Sequence, residues 1–202
     1  EARDFIASIL SRLPDNSCLY SLLGSCLYSL GNWEKARDAY GKAAALDPEV
    51  PVYLSNLGRT LERLGLAGEA LRSYLEAARM LFRQEAYDEL SLVLARGRKL
   101  AGEPGSAEER ELAAIEAKML FHEGKQAEAE LALCELVRQG HPDSGVYYLY
   151  ALLLIAGGSR AEAEAYLKKA LELEPAFPLY WFRLAENRYL SGKDPREALE
   201  RA

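Results

Sequence analysis

"SCLYSLLGSCLYSLGNWEKARDAYGKAAALDPEV", residues 17–50, reads as two helices and the stops that separate them. Tyr20, Leu23, Gly24 and Leu27 recur at spacings of three, one and three, which places them along one helical face. Ala36, Tyr40 and Ala43 do the same on a second helix. Gly31 lies between them, where a helix C-terminus favours a residue tolerant of left-handed dihedrals. Pro48 ends the second helix, because the residue before a proline is driven out of the helical region. Gly24 and Ala36 are small enough to let the two axes approach, while Tyr20, Leu27 and Tyr40 fill the flanking space.

The same beat runs along the chain. Gly31, Gly65, Gly124, Gly158 and Gly192 each end one apolar-periodic run and precede another, at intervals of 34, 59, 34 and 34 residues. A fixed period in this range is the signature of a repeat solenoid. The long interval exceeds the others by 25 residues, enough for one helix, "EAYDELSLVLARGRKLA" (85–101), and a turn. That helix also reads as the second half of a unit starting at Leu71, with Tyr74, Ala78, Leu81, Tyr87, Leu90 and Leu94 at the pattern positions, so that helix 68–83 serves two units. "GEPGS" (102–106) follows, and Ser106 with Glu109 forms a capping-box signature for a fresh helix. The expected organisation is an N-terminal segment 1–101 and a C-terminal segment 102–202. The first holds the second helix of a preceding repeat, repeats 17–50 and 51–84, and the extra helix. The second holds repeats 110–143 and 144–177 and a partial repeat 178–202.

This pattern of an aromatic, Leu-Gly, a large residue, then Ala-x3-aromatic and Pro resembles the tetratricopeptide repeat, carried by Tyr20, Leu23-Gly24, Leu27, Ala36, Tyr40 and Pro48. Residues 51–84 repeat it with Leu54, Leu57, Gly58, Leu61, Ala70, Tyr74 and Ala77, and Phe82 replaces the proline. Residues 144–177 give Tyr147, Tyr150, Ala151, Leu154, Ala163, Leu167, Ala170 and Pro175. In 110–143, Glu116 stands where Leu is usual and Pro142 comes one position late. In 178–202, Trp181, Leu184 and Ala185 match, but Arg188 replaces a large apolar residue, so a loosely packed last pair is expected. The resemblance implies an all-α fold, a tetratricopeptide-type α-solenoid: a right-handed superhelix of antiparallel helix pairs, with an irregular helix and loop near 85–106. Both ends are cut inside the pattern, which suggests a fragment of a longer array and self-association through the truncated repeat ends.

Composition narrows the function classes. The chain has 25 basic and 31 acidic residues, a formal net charge of −6, and hydrophobic residues make up 50%, enough for a sizeable core. Residues 1–100 carry 13 basic and 13 acidic groups, residues 101–202 carry 12 and 18, so the negative charge lies in the second half. An acidic chain without a basic stripe does not suit a phosphate backbone, and nucleic acid is not an expected partner. Arg96, Arg98 and Lys99 complement a helix C-terminus instead. No apolar run reaches the roughly 18 residues that span a bilayer, so membrane insertion is not expected. Cys18 and Cys26 lie about 12 Å apart in helical rise, beyond disulfide reach, and the three thiols are expected free and buried, which favours a reducing, cytoplasmic setting.

No catalytic constellation is visible. With only His122 and His141 there is no ligand cluster for a metal, and the glycines sit at helix ends rather than in a phosphate loop, so neither cofactor nor enzymatic activity is expected. His122 reads as an exposed or half-packed histidine. Glu162, Glu164, Glu172 and Glu174 lie beside lysines and read as solvated surface, so that Glu164→Gln should cost no more than about 0.5 kcal/mol.

The first helix of each unit has a second stripe, at pattern positions 2, 5, 9 and 12, which in tetratricopeptide arrays lines the concave groove. In the first segment it is polar: Cys18, Ser21, Ser25 and Tyr28, then Val52, Ser55, Arg59 and Glu62, with Asn56 beside them. In the second it is markedly more apolar: Glu111, Ala114, Lys118 and Phe121, then Gly145, Tyr148, Leu152 and Ile155, then Leu179, Phe182, Glu186 and Tyr189. Large apolar residues not needed for packing within a unit suggest a site for an extended or helical peptide. The resemblance thus implies a non-catalytic scaffold holding a protein or peptide partner in the groove, within a multiprotein complex. The alternative is a structural spacer or oligomerisation module with no peptide ligand. One subclass of the family holds acidic C-terminal tails through Lys and Asn on one first helix, Asn on the next, and Lys plus Arg on the third. Ser21 and Ser25 stand at the first two positions, Asn56 matches, and the second segment offers only Lys118 and Arg183, so that clamp is not expected.

Overall fold

The computed structural model describes residues 2–102 and 105–202. Of the loop "GEPGS", Glu103 and Pro104 lie outside the described residues. The described residues form helices and connecting turns without strand: α1 (Ala2–Leu10), α2 (Ser17–Ser29), α3 (Trp33–Leu46), α4 (Pro51–Arg63), α5 (Ala67–Arg83), α6 (Tyr87–Leu100), α7 (Ala107–His122), α8 (Gln126–Arg138), α9 (Ser144–Ala156), α10 (Arg160–Leu173), α11 (Pro178–Leu190) and α12 (Arg196–Leu199). They pack in tandem as the α-solenoid pattern requires, and they fall into two compact units, one up to Ile115 and one from Glu116 onward.

One hydrogen-bonded turn sets the beat. At Gly31 (φ 75°) the glycine N–H donates to Tyr28 O at 3.0 Å and the Asn32 N–H to Leu27 O at 2.9 Å, closing the C-terminus of α2. The same two bonds recur at Gly65, Gly124, Gly158 and Gly192, all with positive φ. They also occur at a place the glycine spacing hides: Glu85 has φ 57°, its N–H donates to Phe82 O at 3.1 Å, and the Ala86 N–H donates to Leu81 O at 3.0 Å. The turn joining α5 to α6 thus has the hydrogen bonds of the turns that join the two helices of a repeat, which also recur at Gly140 between α8 and α9. α5 packs on α4 as the second helix of one pair and on α6 as the first helix of another.

In the first unit the closest approaches are made by glycine under tyrosine. A Cβ at Gly24 would lie 2.8 Å from the Tyr40 ring, and one at Gly58 2.8 Å from the Tyr74 ring. Ala36, Ala43, Ala70 and Ala77 are fully buried at the matching positions of the second helices. Tyr40 completes its contact through a 2.9 Å hydrogen bond between its hydroxyl and Ser25 Oγ, and burial raises its pKa. The start of α7 forms half of the predicted capping box: Glu109 N–H donates to Ser106 Oγ at 3.2 Å, while the Glu109 carboxylate accepts from the Gly105 N–H, one residue before the cap, rather than from Ser106.

In the second unit Tyr147, Ala151, Ala163, Leu167, Ala170, Tyr180, Leu184 and Ala185 form the core. Glu164 overturns its expected place on a solvated surface. It is only 7% exposed, and its carboxylate accepts from Lys193 Nζ at 2.5 Å, Lys168 Nζ at 3.0 Å and Arg188 Nε at 3.3 Å. The Lys193 ammonium, with Lys168 and Arg188, holds the Glu164 pKa down to about 2 against the opposing effect of burial. Arg188 also reaches Glu197 at 3.5 Å, and Ala198 is fully buried beneath it. The last pair is thus packed through ion pairs rather than left loose, because the guanidinium that replaces an apolar residue finds two carboxylates. The thiols are free, but Cys18 is exposed and Cys26 and Cys134 are half-buried, so the expectation of buried thiols does not hold. His122 is exposed in the last turn of α7, edge-on to Phe121 at 5.8 Å.

Candidate functional site

The residues expected to line the groove divide between the two units, and each set is described in its own unit. In the second, Tyr148, Leu152 and Ile155 lie along α9 at spacings of four and three, and all are half-buried, Tyr148 and Ile155 packing against the edge of the core. Their helical neighbours Tyr147, Ala151 and Tyr150 turn inward to the core. The Tyr148 ring meets the Tyr180 ring of α11 at 4.8 Å, and Ser144 Oγ lies 3.1 Å from the Tyr180 hydroxyl, which locks the start of α9 to α11. Burial raises the Tyr180 pKa. Leu179, Phe182 and Tyr189 lie along one side of α11, and Phe182 is 49% and Tyr189 71% exposed. Trp181, one residue before Phe182, instead packs against the core and donates Nε1–H to Pro175 O at 2.8 Å. The sequence periodicity thus separates inward from outward aromatics on adjacent residues. Phe121 is half-buried near the end of α7.

Charged groups interrupt this face: Glu186 stands on α11 between Phe182 and Tyr189, and Lys118 lies one turn before Phe121 on α7. Arg183 is held by Glu186 at 2.7 Å, and Lys118 pairs with Asp143, whose carboxylate also accepts the Gly145 N–H at 2.8 Å and caps α9. Lys118 and Arg183 are therefore committed to internal partners, as is Arg188 farther along α11. The face offers apolar and aromatic contact area with few polar groups.

In the first unit Asn56 and Arg59 lie on α4, Asn56 half-buried and Arg59 exposed. The Arg59 guanidinium lies over the Tyr28 ring at 5.4 Å, and Arg63 Nε donates to the Tyr28 hydroxyl at 3.2 Å, so Tyr28 closes the seam between α2 and α4. The seam between α4 and α6 is open. It forms a cleft of about 510 Å³ with Tyr74 and Leu81 of α5 at its floor, Val52, Asn56 and Arg59 on α4, and Leu92, Val93 and Arg96 on α6. The α6 contribution escapes a reading based on first helices alone. The signal that reveals it is the register beginning at Leu71, which puts Glu85 at the turn and α6 beside α5. Glu62 links the two sides: it accepts the Tyr74 hydroxyl and lies 3.5 Å from Arg96 Nη1.

Among the described residues no group of three or more His, Cys, Asp or Glu is placed to hold a metal ion. No helix among them is long and apolar enough to cross a membrane.

Comparison with known proteins places this architecture. The tetratricopeptide-repeat family model matches residues 18–50, and a second model of the same repeat matches residues 144–187. A TPR repeat-containing protein of Treponema pallidum (strain Nichols) is 32% identical over 196 residues, covering 91% of this chain and 24% of its own length. The chain thus spans about a quarter of the length of that curated relative. Among solved structures, a monomeric mutant of IFIT1 with m7Gppp-AAAA is 15% identical, covering 98% of this chain and 53% of its own, with a TM-score of 0.50. YrrB, described as a TPR protein with an unusual peptide-binding site, is 16% identical over 97% of this chain and 88% of its own, with a TM-score of 0.40. These structures are alike in fold alone. With the two repeat matches, the repeat-containing relative and the tandem helix pairs, this chain belongs to the tetratricopeptide-repeat family.

Proposed function

We propose that the chain is a non-catalytic protein–protein interaction scaffold and that its second unit binds a partner peptide or helix on the apolar face of α9 and α11, within a larger assembly. Phe121, Tyr148, Leu152, Ile155, Leu179, Phe182 and Tyr189 carry this contact, and Asn56 and Arg59 belong to a polar groove in the first unit. The two surfaces lie in separate segments, 1–101 and 102–202, divided at the loop 102–106. The observation that carries the reading is on α11: Phe182 and Tyr189 stand exposed while Leu184 is buried in the core and Trp181 packs against it, so the outward aromatics are not needed for packing. A displayed random-peptide library selected on the chain tests it. Selected peptides should bind saturably and lose binding to the Phe182→Asp variant. Enrichment of no sequence, or of sequences indifferent to Phe182, would leave the spacer role as the better account.

A further inference from the structure

The α4–α6 cleft has a chemistry unlike the apolar face, and it exists because α5 is shared between two helix pairs. Arg59 and Arg96 project from its two walls, Val52 and Val93 add apolar surface, and Leu92 is 68% exposed beside them. The two guanidiniums differ in their commitments. Arg96 has Glu62 at 3.5 Å, a long contact, and Glu62 is already engaged by the Tyr74 hydroxyl. Arg59 has no carboxylate partner among the described residues; its neighbour is the Tyr28 ring. A guanidinium stacked on an aromatic keeps its donor edge free for a planar anion. Glu89 is the acidic residue among those lining the cleft, and it lies on α6 about two turns before Arg96. The positive charge of the cleft is therefore concentrated where Arg59 and Arg96 stand, above an aromatic floor, in a volume suited to a short segment of chain.

We infer that this cleft docks an acidic segment of a partner polypeptide, with a side-chain carboxylate between Arg59 and Arg96 and an adjoining apolar side chain against Val52, Leu92 and Val93. The inference rests on reading Asn56 and Arg59 as groove residues and is independent of the apolar face on α9 and α11. The carboxylate gains charge-assisted bonds from two donors, and the apolar neighbour gains burial, so alternating acidic and apolar residues are favoured over either kind alone.

The test uses the full chain and a fluorescein-labelled hexapeptide of alternating Leu and Glu, acetylated and amidated so that no terminal carboxylate is present, with the Leu-Gln hexapeptide as its neutral counterpart. Fluorescence anisotropy should show the Glu peptide binding at least about tenfold more tightly at low salt, with the difference narrowing as salt rises. Arg59→Gln, at an exposed position, should weaken the Glu peptide about fivefold or more with an unchanged melting temperature, and Arg96→Gln should weaken it similarly. Phe182→Asp should leave this binding intact. Equal affinity for the Glu and Gln peptides, indifference to Arg59→Gln, or absence of binding would overturn the inference. Loss of binding in Phe182→Asp alone would assign the peptide to the apolar face instead, and displacement by a single-stranded oligoadenylate would assign the cleft to nucleic acid.

Discussion

At Glu85 a carboxylate side chain sits where six other turns have glycine, and its φ of 57° is a conformation that costs an L-residue about 1 kcal/mol or more. Glu85→Gly should therefore stabilise the first unit by about 0.5–1 kcal/mol, the gain being reduced by the greater freedom of glycine in the unfolded chain. Denaturant unfolding measures it, and a loss of stability would show that the Glu85 side chain contributes more than its backbone strain costs. Gly58 faces the opposite constraint. Its added Cβ would lie 2.8 Å from the buried Tyr74 ring, so Gly58→Ala should destabilise by about 1–3 kcal/mol even though alanine favours helix. Glu164 supplies a pH signature. Its pKa of about 2 lies below the ordinary 4.5, so the stability it contributes is fully present above about pH 4.5 and is lost as pH falls towards 2. Glu164→Gln should cost about 2 kcal/mol at pH 7, a value held down by the half-exposed lysines, and that difference should shrink to about a quarter of its value in melting curves at pH 2.5.

Among the elements, α5 explains both what the sequence made legible and what it concealed. The spacing of Gly31, Gly65, Gly124, Gly158 and Gly192 locates five intra-pair turns, because the left-handed turn selects glycine and a fixed period repeats the selection. It misses the sixth pair, α5–α6, because there the same hydrogen bonds are made with Glu85, and the constraint leaves no glycine to read. On α11 the inward and outward sides were likewise legible, since helical periodicity assigns Leu184 and Phe182 to different sides; on α9 the separation is weaker, because Tyr148 and Ile155 also pack against the core. Glu164 was not, because its burial depends on Lys193 and Arg188, 29 and 24 residues away, rather than on its own helix face. The helix-pair account makes its own prediction at Ala36, which is fully buried where α2 and α3 meet. Ala36→Leu should lower stability by about 1–3 kcal/mol, and a melting temperature equal to that of the parent chain would remove Ala36 from the contact.

For the whole molecule, the central claim is that large apolar side chains left out of the core of the second unit serve a partner. Two physical roles compete for them, and charge insertion separates the two. A carboxylate at a core position unfolds a marginally stable unit, whereas one on an exposed contact face removes an anchor and adds a desolvation cost only when the partner is bound. Leu152 is half-buried and Phe182 is half-exposed, so Phe182 gives the cleaner separation. The most direct measurement is the binding isotherm of a library-selected peptide to the parent chain and to Phe182→Asp, each accompanied by thermal unfolding. A loss of about thirtyfold or more in affinity, with the melting temperature held within about 2 °C, is the expected result. Undiminished binding, or a collapse of the melting temperature, would contradict the assignment of this face to a partner.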